Sequence, residues 1–390
     1  MFSRMTYNPS CEATLRTNES FADQTQPIYH KGISTLLSIG TSMISQFPLD
    51  IMHLVDLGCT KRLIGLLMKK KGSKFKLPTE NVRRLDKLCD FLYHFTPSEF
   101  ARKPRPLSQW SLYKAVEFRR ILLYDGLLIF KQQKQKEVYN CFLLLSCGMR
   151  IFLDPDLREQ YAKDAHELLL AFVSHSYEVL GASFVVYNIH HLTHLYSDII
   201  LHGDPNSFSC YKYENELGQI KGHLLAPGRT LQQIMCRMIE KSLSTSPVSA
   251  PVATKNRLTH HHRGGPVLDN VGKQYRMIEL GNFTIRCDSA NSCVLTSSGE
   301  VVIISNIIET DFEVYFIGRK FLTKCNYFDY PFESSLLNIF LVSQLGCLEK
   351  FSLDVIKRKV VLLPSRETEN ELVDWEVVPG VCIPMLHHNI

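Results

Sequence analysis

The chain has 390 residues and a formal net charge of +5 at pH 7. A chain of this length can bury a large core and is expected to form two or three domains. Its apolar and charged fractions are those of an ordinary globular protein, which excludes an intrinsically disordered chain. No apolar run is long enough to cross a bilayer, and the opening stretch MFSRMTYNPSCEATLR lacks the apolar core of a signal peptide. We therefore expect a protein of the nucleus or cytoplasm with no membrane partner.

The twelve cysteines are scattered along the chain, and several lie in apolar stretches such as CFLLLSC at 141–147. No CxxC pair occurs, which argues against a zinc ribbon. This pattern predicts reduced, buried thiols.

Residues 1–33 are rich in Asn, Ser, Pro and Thr without periodicity, which predicts an extended arm. Across residues 34–242 the apolar side chains recur at helical spacing. Thr230 and Gln233 form a capping box ahead of one of these helices. We therefore expect a mainly helical domain in this part of the chain.

Residues 243–266 are rich in Ser, Pro, Thr and Gly, which predicts a linker that includes the histidines at 260–262 as part of a solvated loop. From 267 to 390 the apolar period becomes that of strands, with a hairpin expected to turn at Ser298 and Gly299. Short strands at close spacing indicate a small barrel or a sandwich, and we expect a small all-β, barrel-like domain. The predicted fold class is α+β, in which the helical domain is followed by this β-rich accessory domain.

The stretch LDIMHLVDLG at 49–58 begins with an Asp-x-x-His pair in an apolar setting. Asp50 stands just before an apolar-periodic run, where aspartate is a preferred N-cap because its carboxylate accepts a backbone N–H of the first turn. His53 lies one turn further on, and Asp50 can hold its imidazole in one tautomer. A helix cap with a bracing histidine is the favoured interpretation, and a catalytic pair is the alternative.

Two further stretches carry residue types that can bind metals. In NIHHLTHL, His190 and His194 are one helical turn apart, which suits two metal ligands, but a zinc protease needs a Glu where His191 stands. Packing and hydrogen bonding are the favoured roles of this pair, and we predict no metal site. In CYKYENELG, Glu214 begins a helix, where the helix dipole favours a carboxylate, and it is also a candidate to hold a divalent cation.

Basic residues cluster in four places within the helical region, at 61–62, 69–76, 101–106 and 131–136. A single basic run is usually a solvated face, but four in one domain predict a positive surface suited to phosphates. The residues expected to contact DNA are Lys69, Lys70, Lys71, Arg102, Lys103 and Arg105.

Six motifs occur in an order and spacing that resemble the C-terminal part of CACTA-type (EnSpm) DNA transposases. They are LRTNESF, FPLDIMHLVDLGCTKRL, FTPSEFARKPRPL, YKAVEFRRILLYDG, YNIHHLTHL and CYKYENELGQIK. The strand-rich tail, with VGKQY, VIISNII, IGRKF and IPMLHH, resembles the extra domain that follows in many animal members. The resemblance covers most of the chain, and its specificity lies in the order of the motifs rather than in any one of them.

The resemblance implies a ribonuclease-H-like core with a large helical insertion, in which two aspartates and one glutamate hold two divalent ions such as Mg²⁺ for in-line displacement at DNA phosphates. By resemblance, Asp50 and His53 match an Asp-x-x-His element that orders the core. Glu214 matches the Glu of an aromatic-Glu-Asn motif and is the candidate third acidic residue. The residues that match a structural Asn-x-His-x-x-x-His helix are Asn188, His190 and His194.

In the family, the segments with the first two catalytic aspartates precede LRTNESF, and only fourteen residues precede that motif here. One carboxylate cannot hold two Mg²⁺ ions, because each ion needs several oxygen ligands. We therefore expect a truncated or domesticated transposase-derived protein that is catalytically inactive, needs no cofactor and binds DNA or a protein partner through its basic helical domain.

Two alternatives stay open at this stage. The first is an active Mg²⁺-dependent transposase or nuclease that recruits further carboxylates beside Glu214. The candidates for these carboxylates are Asp50, Asp198 and Asp204. The second alternative is a protein-interaction scaffold in which the β domain contacts the partner.

Overall fold

Helices occupy the N-terminal part of the chain and an antiparallel sheet occupies the C-terminal part, which confirms the α+β class. The structure is a computed structural model. It describes residues 5–9, 13–68, 74–132, 135–225, 227–244, 256–268, 272–281, 283–366 and 373–386. None of the helices in these ranges is both long enough and apolar enough to span a membrane. No cysteine in these ranges is paired in a disulfide. The predicted burial holds for part of them, since Cys236, Cys325 and Cys347 are exposed.

The helical part consists of α-helices, several of which are joined by 3₁₀ turns or π-helical segments. The α-helices are α1 (Asn18–Ala22), α2 (Lys61–Met68), α3 (Thr79–Leu92), α4 (Ala115–Arg120), α5 (Gly126–Lys131), α6 (Lys136–Leu153), α7 (Pro155–Leu180), α8 (Tyr187–His191), α9 (Leu195–His202), α10 (Tyr211–Gly222) and α11 (Thr230–Ser244). Two π-helical segments, Met52–Thr60 and Ile121–Asp125, run directly into α2 and α5. The 3₁₀ turns of this part are Pro27–Tyr29, Thr35–Ile39, Tyr93–Phe95, Leu107–Leu112 and Ala182–Phe184.

The antiparallel pair α6 and α7 lies at the centre of the helical part. Almost every side chain of α6 from Cys141 onwards is buried. The start of α7 is fixed by Asp154, whose carboxylate accepts the N–H groups of Asp156 and Leu157, and by Pro155, which has no N–H to leave unsatisfied. The pair therefore provides the apolar base on which the other helices pack.

The strands are 4 to 13 residues long and all pair antiparallel. They are β1 (Arg257–His262), β2 (Lys273–Leu280), β3 (Phe283–Arg286), β4 (Cys293–Thr296), β5 (Val301–Glu309), β6 (Val314–Asn326), β7 (Phe340–Ser352), β8 (Ile356–Pro364) and β9 (Gly380–Pro384). Two more 3₁₀ turns, Ser334–Leu337 and Leu353–Val355, lie between strands. The hairpin of β4 and β5 turns at the predicted place, where Gly299 adopts a φ of 79°.

Six of these strands close on themselves within the described residues. β5 pairs with β4 and β6, β7 pairs with β6 and β9, and β8 pairs with β9 and β4. This ring is the small barrel that the strand pattern predicted. β2 pairs with the last residues of β5 and carries β1 and β3 at its two edges, so these three strands extend the sheet beyond the barrel.

The predicted linker at 243–266 is wrong in its second half. Arg257–His262 form β1, and His261 pairs with Tyr275 of β2, so the three histidines belong to the sheet and not to a solvated loop. Leu258 packs against the apolar cluster of the sheet. The composition of residues 257–262 does not indicate a strand, because this strand forms by pairing with β2, which lies further along the chain. Residues 245–255 lie outside the described residues.

One apolar core continues from the helices into the barrel. It contains the buried face of α6 together with Val361, Leu363 and Ile383 of the barrel strands. Arg150 of α6 is buried between the two parts and donates hydrogen bonds to the carbonyl oxygens of Leu123 at 2.7 Å and Pro384 at 2.8 Å. The helical and β parts therefore form one continuous interior.

A buried lysine joins the two parts a second time. Lys359 of β8 is only 1% exposed, and its ammonium donates to both carboxylate oxygens of Glu99 at 2.8 Å. It also donates to Asn291 Oδ1 at 2.8 Å and to the Thr284 carbonyl at 2.6 Å. Burial lowers the pKa of Lys359, and the nearby Glu99 carboxylate opposes that shift. The Lys359 ammonium therefore has a hydrogen-bond acceptor for each of its N–H groups.

We expect Lys359→Met to lower the free energy of unfolding by about 3–5 kcal/mol, because it leaves the Glu99 carboxylate buried without its cation. The double variant Lys359→Met/Glu99→Gln should recover part of that loss. Lys350→Met is the control, since it breaks an exposed pair with Glu313 that is worth at most about 1 kcal/mol. Urea denaturation measures all three, and equal losses for Lys359→Met and Lys350→Met would contradict the assignment.

Candidate functional site

The carboxylate of Asp50 is occupied by donors from two separate segments. Its Oδ1 accepts the backbone N–H of Met52 at 3.2 Å and that of Cys210 at 2.7 Å, and its Oδ2 accepts the N–H of His53 at 3.0 Å. The Ser209 hydroxyl lies 3.3 Å from Oδ1. The helix-cap interpretation is therefore confirmed. The same carboxylate also fixes the segment that leads into α10.

These contacts decide the ionisation of Asp50 and the orientation of His53. Burial raises the pKa of Asp50, but the hydrogen bonds from Cys210, His53 and Met52 outweigh it and hold the pKa below its ordinary value. His53 Nδ1 lies 2.5 Å from Asp50 Oδ2, while the His53 side chain is 56% exposed. Contact with the carboxylate selects the tautomer protonated at Nδ1 and leaves Nε2 as the acceptor nitrogen.

Among the described residues, one group of three or more metal-ligating side chains has its ligand atoms within 4.8 Å of one another, namely Asp50, His53 and Cys210. Burial and the negative charge of Asp50 raise the pKa of the Cys210 thiol. A thiol that resists ionisation is a poor nucleophile and a poor metal ligand. The Asp50 oxygens are moreover already used as hydrogen-bond acceptors, so this group favours local structure over chemistry.

Glu214 lies exposed on α10, and its N–H donates to the Cys210 carbonyl at 2.9 Å, which puts it one turn beyond the Asp50 contact. The carboxylates of the other acidic candidates accept backbone N–H groups. Asp198 Oδ2 accepts the N–H of Leu49 at 2.8 Å, and Asp204 Oδ1 accepts the N–H of Asn206 at 3.0 Å. In the part of the chain that the structure describes, no group of three or more metal-ligating side chains unites two carboxylates.

Sequence reasoning missed a second aspartate, Asp56, which lies on the π-helical segment that follows Asp50. Asp56 is 3% exposed and accepts a hydrogen bond from the Tyr211 hydroxyl at 2.7 Å. The guanidinium of Arg119, also buried, lies 5.5 Å from the centre of the Tyr211 ring and donates to Asn206 Oδ1 at 2.7 Å. Burial raises the pKa of Asp56 to about 7, while Arg119 and the Tyr211 hydrogen bond oppose this shift. The signal in the sequence was a lone acidic residue inside the apolar run HLVDLGC.

The Asn188 and His190 contacts support their structural interpretation. Asn188 packs so closely on the π-helical segment that a Cβ at Gly58 would lie 2.3 Å from its Nδ2. The His190 ring stacks on Tyr7, with centroids 4.4 Å apart and an interplanar angle of 4°. His190 Nε2 also lies 3.4 Å from His194 Nε2. These contacts hold α8 against the core and fix the chain at Tyr7. The predicted extended arm is wrong further on, because Asn18–Ala22 form α1 and Pro27–Tyr29 form a 3₁₀ turn.

The predicted DNA-contacting residues differ in what they are free to do. Lys69, Lys70 and Lys71 lie outside the described residues. Arg102 and Lys103 are exposed, and the Lys103 ammonium lies 4.1 Å from the centre of the Tyr93 ring. Arg105 has a structural role instead, because it donates to both carboxylate oxygens of buried Glu117 at 2.6 Å and 2.8 Å. Its charge is therefore neutralised inside the fold and is not offered to a phosphate.

Three of the four basic clusters meet around α3. Arg84 of α3 donates to the Gln132 carbonyl at 3.0 Å, and Gln135 donates to the Lys74 carbonyl at 3.4 Å. Lys103 reaches Tyr93 at the C-terminal end of α3. The exposed cations of this basic α3 surface are Lys74, Lys76, Arg83, Arg84, Lys87, Arg102 and Lys103. Its exposed carboxylates are Glu80 and Asp90.

The fourth basic cluster, at 61–62, is drawn into the fold. Arg62 donates to the carbonyl oxygens of Phe184 at 2.9 Å and Ser183 at 2.6 Å. The ammonium of Lys61 lies 5.6 Å from the centre of the Phe118 ring. This cluster therefore supports packing between α2 and its neighbours rather than a binding surface.

Comparison with known proteins identifies the β-rich part only. Residues 260–384 match a family described as Domain of unknown function (DUF8592). The matched range runs from within β1 to the end of β9, so it covers the barrel and its extension. No curated protein and no solved structure matches the chain.

We expect the stability of the chain to fall as the pH rises from about 4 to about 7 through Asp56. The ordinary carboxyl pKa of 3.8 applies to the unfolded chain and the raised value of about 7 to the folded one, so the folded state binds the proton more tightly in this window. The contribution is fully present below the lower value and is lost as the pH passes the upper one. Asp56→Asn should therefore flatten this fall in the free energy of unfolding, whereas Asp90→Asn, at an exposed position, should leave it in place. An unchanged slope in Asp56→Asn would refute the assignment.

Proposed function

We propose that this chain is a DNA-binding protein derived from a CACTA (EnSpm)-type transposase, with no two-metal phosphodiester chemistry of its own. Its ribonuclease-H-like ancestry rests on the six ordered motifs of the sequence. The observation that argues against metal-dependent cleavage is the hydrogen bonding of Asp50, whose two carboxylate oxygens accept three backbone N–H groups. This function requires the protein to reach the nucleus, which is one of the two expected locations.

The argument against cleavage concerns the carboxylates that could bind two metal ions. A two-metal site holds its ions about 4 Å apart between several carboxylates that are not already engaged by backbone N–H groups. Here Asp50, Asp198 and Asp204 serve as acceptors for backbone N–H groups, and Glu214 stands exposed on α10. The three aspartates that the nuclease hypothesis would place beside Glu214 are thus already hydrogen-bonded to the backbone.

The argument for DNA binding is one of charge distribution. The basic α3 surface presents seven exposed cations and two exposed carboxylates. α3 has 14 residues and is therefore about 21 Å long, which matches about six nucleotide steps along a DNA strand. Cations at both ends and along the exposed side of α3 can each meet a phosphate. The surface therefore favours contact with the DNA backbone over reading of the bases.

We expect duplex binding with a steep salt dependence, because each neutralised phosphate releases counterions. Replacing Arg83, Lys87, Arg102 and Lys103 with Gln should reduce the slope of log K against log salt concentration by about 3–4, since each lost phosphate contact removes roughly one unit. Fluorescence anisotropy with a labelled duplex at several salt concentrations measures the slope.

A charge-matched control separates this surface from net charge. Its four exposed cations, also replaced with Gln, lie away from α3 and are Lys163, Lys221, Lys273 and Arg276. The control should keep most of the wild-type slope. Equal effects of the two quadruple variants, or no duplex binding by the wild type at low salt, would rule out the basic α3 surface as the DNA-binding site.

We also expect the purified chain to leave supercoiled plasmid intact in Mg²⁺ or Mn²⁺, because among the described residues no group of three or more metal-ligating side chains brings two carboxylates together. Gel electrophoresis of the plasmid gives the measurement, and Glu214→Gln and Asp50→Asn are the matched variants. Metal-dependent nicking by the wild type that disappears in Glu214→Gln would establish the nuclease alternative and overturn this part of the proposal.

A protein partner for the β domain is the second candidate function. Phe312, in the turn between β5 and β6, is 97% exposed. An exposed aromatic side chain can serve as an anchor for a partner, because aromatic residues are enriched among the residues that contribute most to interfaces. This contact is compatible with DNA binding by the helical part, because the two surfaces lie on different elements.

A further inference from the structure

Four histidines gather where α7, α8 and α9 meet. His190 and His191 belong to α8, His194 directly precedes α9, and His166 lies on α7. The ring centroids of the first three are 5.2 Å, 5.5 Å and 5.6 Å apart. His166 stacks on Tyr196 of α9, with centroids 5.0 Å apart. No step of the proposed DNA-binding function uses this histidine cluster.

The nitrogens of two of these rings face each other at a distance that suits a metal ion. His190 Nε2 and His194 Nε2 are 3.4 Å apart. Two imidazole nitrogens that each lie about 2.05 Å from a tetrahedral zinc ion are about 3.4 Å from one another. The ring of His190 is held in place by its stacking on Tyr7. The pair is therefore close to binding geometry without movement of the backbone.

The surroundings keep these imidazoles neutral, which metal binding requires. Burial lowers the pKa of His190, and its neighbours His194 and His191 lower it further. Burial and the charge of His191 also lower the pKa of His194, against the opposing effect of Asp198. Both shifts favour the neutral imidazole over the imidazolium.

A further buried nitrogen in the cluster lacks a partner. Among the described residues, His166 Nδ1 is buried without a hydrogen bond. His166 is near enough to His194 to lower the pKa of that ring. His191, in contrast, is held by the contact of its Nδ1 with the Tyr187 carbonyl at 2.9 Å. The cluster thus contains two imidazole nitrogens 3.4 Å apart and, on a neighbouring ring, one buried nitrogen without a hydrogen-bond partner.

We propose that His190 and His194 form a two-nitrogen clip for a divalent transition-metal ion of the Zn²⁺ class. Imidazole suits zinc, copper and nickel, whereas Mg²⁺ prefers oxygen ligands. Water fills the remaining coordination positions. The bound ion adds a fixed link between α8 and α9 and, through the stacked Tyr7, holds the N-terminal arm.

The test is a zinc titration of the chelator-treated full chain by isothermal calorimetry. We expect wild type to bind zinc, and His190→Gln and His194→Gln each to weaken binding at least tenfold, about the smallest loss seen even for residues that only support a metal ligand. Cys210→Ser and His261→Gln are the controls for the Asp50–His53–Cys210 group and for the histidines of β1, and both should bind as wild type does.

A second measurement does not depend on how the variants fold. In wild type loaded with Cu²⁺, electron paramagnetic resonance should show hyperfine coupling to two imidazole nitrogens. Absence of binding, binding that both His→Gln variants retain, or binding that only Cys210→Ser abolishes would each overturn the proposal. In the last case the ion is held by the Asp50–His53–Cys210 group, and Co²⁺ would then show a thiolate charge-transfer band.

Discussion

A charged side chain that leaves water must find its partners inside the protein, and this requirement joins distant segments of the chain. Asp50 takes a hydrogen bond from the N–H of Cys210, which is 160 residues away in sequence. Lys359 of the barrel takes Glu99 of the helical part as its partner across 260 residues. Each of these contacts fixes two elements at once. Losing one partner would leave the other charge buried and uncompensated.

The same requirement separates structural from functional charges. Arg105 and Arg102 are three residues apart in one basic stretch, yet Arg105 is paired with buried Glu117 while Arg102 is exposed. Likewise, the Asp50 carboxylate accepts backbone N–H groups, whereas a metal site needs carboxylates whose oxygens are free to bind the ion. Charge that is already satisfied within the fold has little left for a ligand. The proposed DNA-binding surface therefore consists of the cations that the fold leaves exposed around α3.

The β domain shares one continuous apolar core with the helices. Residues 260–384 match a domain family of their own, but their barrel shares apolar side chains with α6 and is tied to the helices through Arg150 and Lys359. Unfolding of either part would therefore expose the interior of the other. This coupling predicts that a ligand bound by the helical part stabilises the barrel as well, because ligand binding shifts the unfolding equilibrium of the whole cooperative unit.

The sequence alone determined those features whose physical cause is local. The change of apolar period gave the α+β class, the Ser-Gly pair gave the hairpin turn, and Asp50 was recognisable as a cap because its first acceptor contacts lie within three residues. Only the tertiary structure decided which charges are neutralised, that β1 is a strand and that Asp56 is buried beside Tyr211. These outcomes depend on partners that lie far away in sequence, and local composition and spacing carry no record of such contacts.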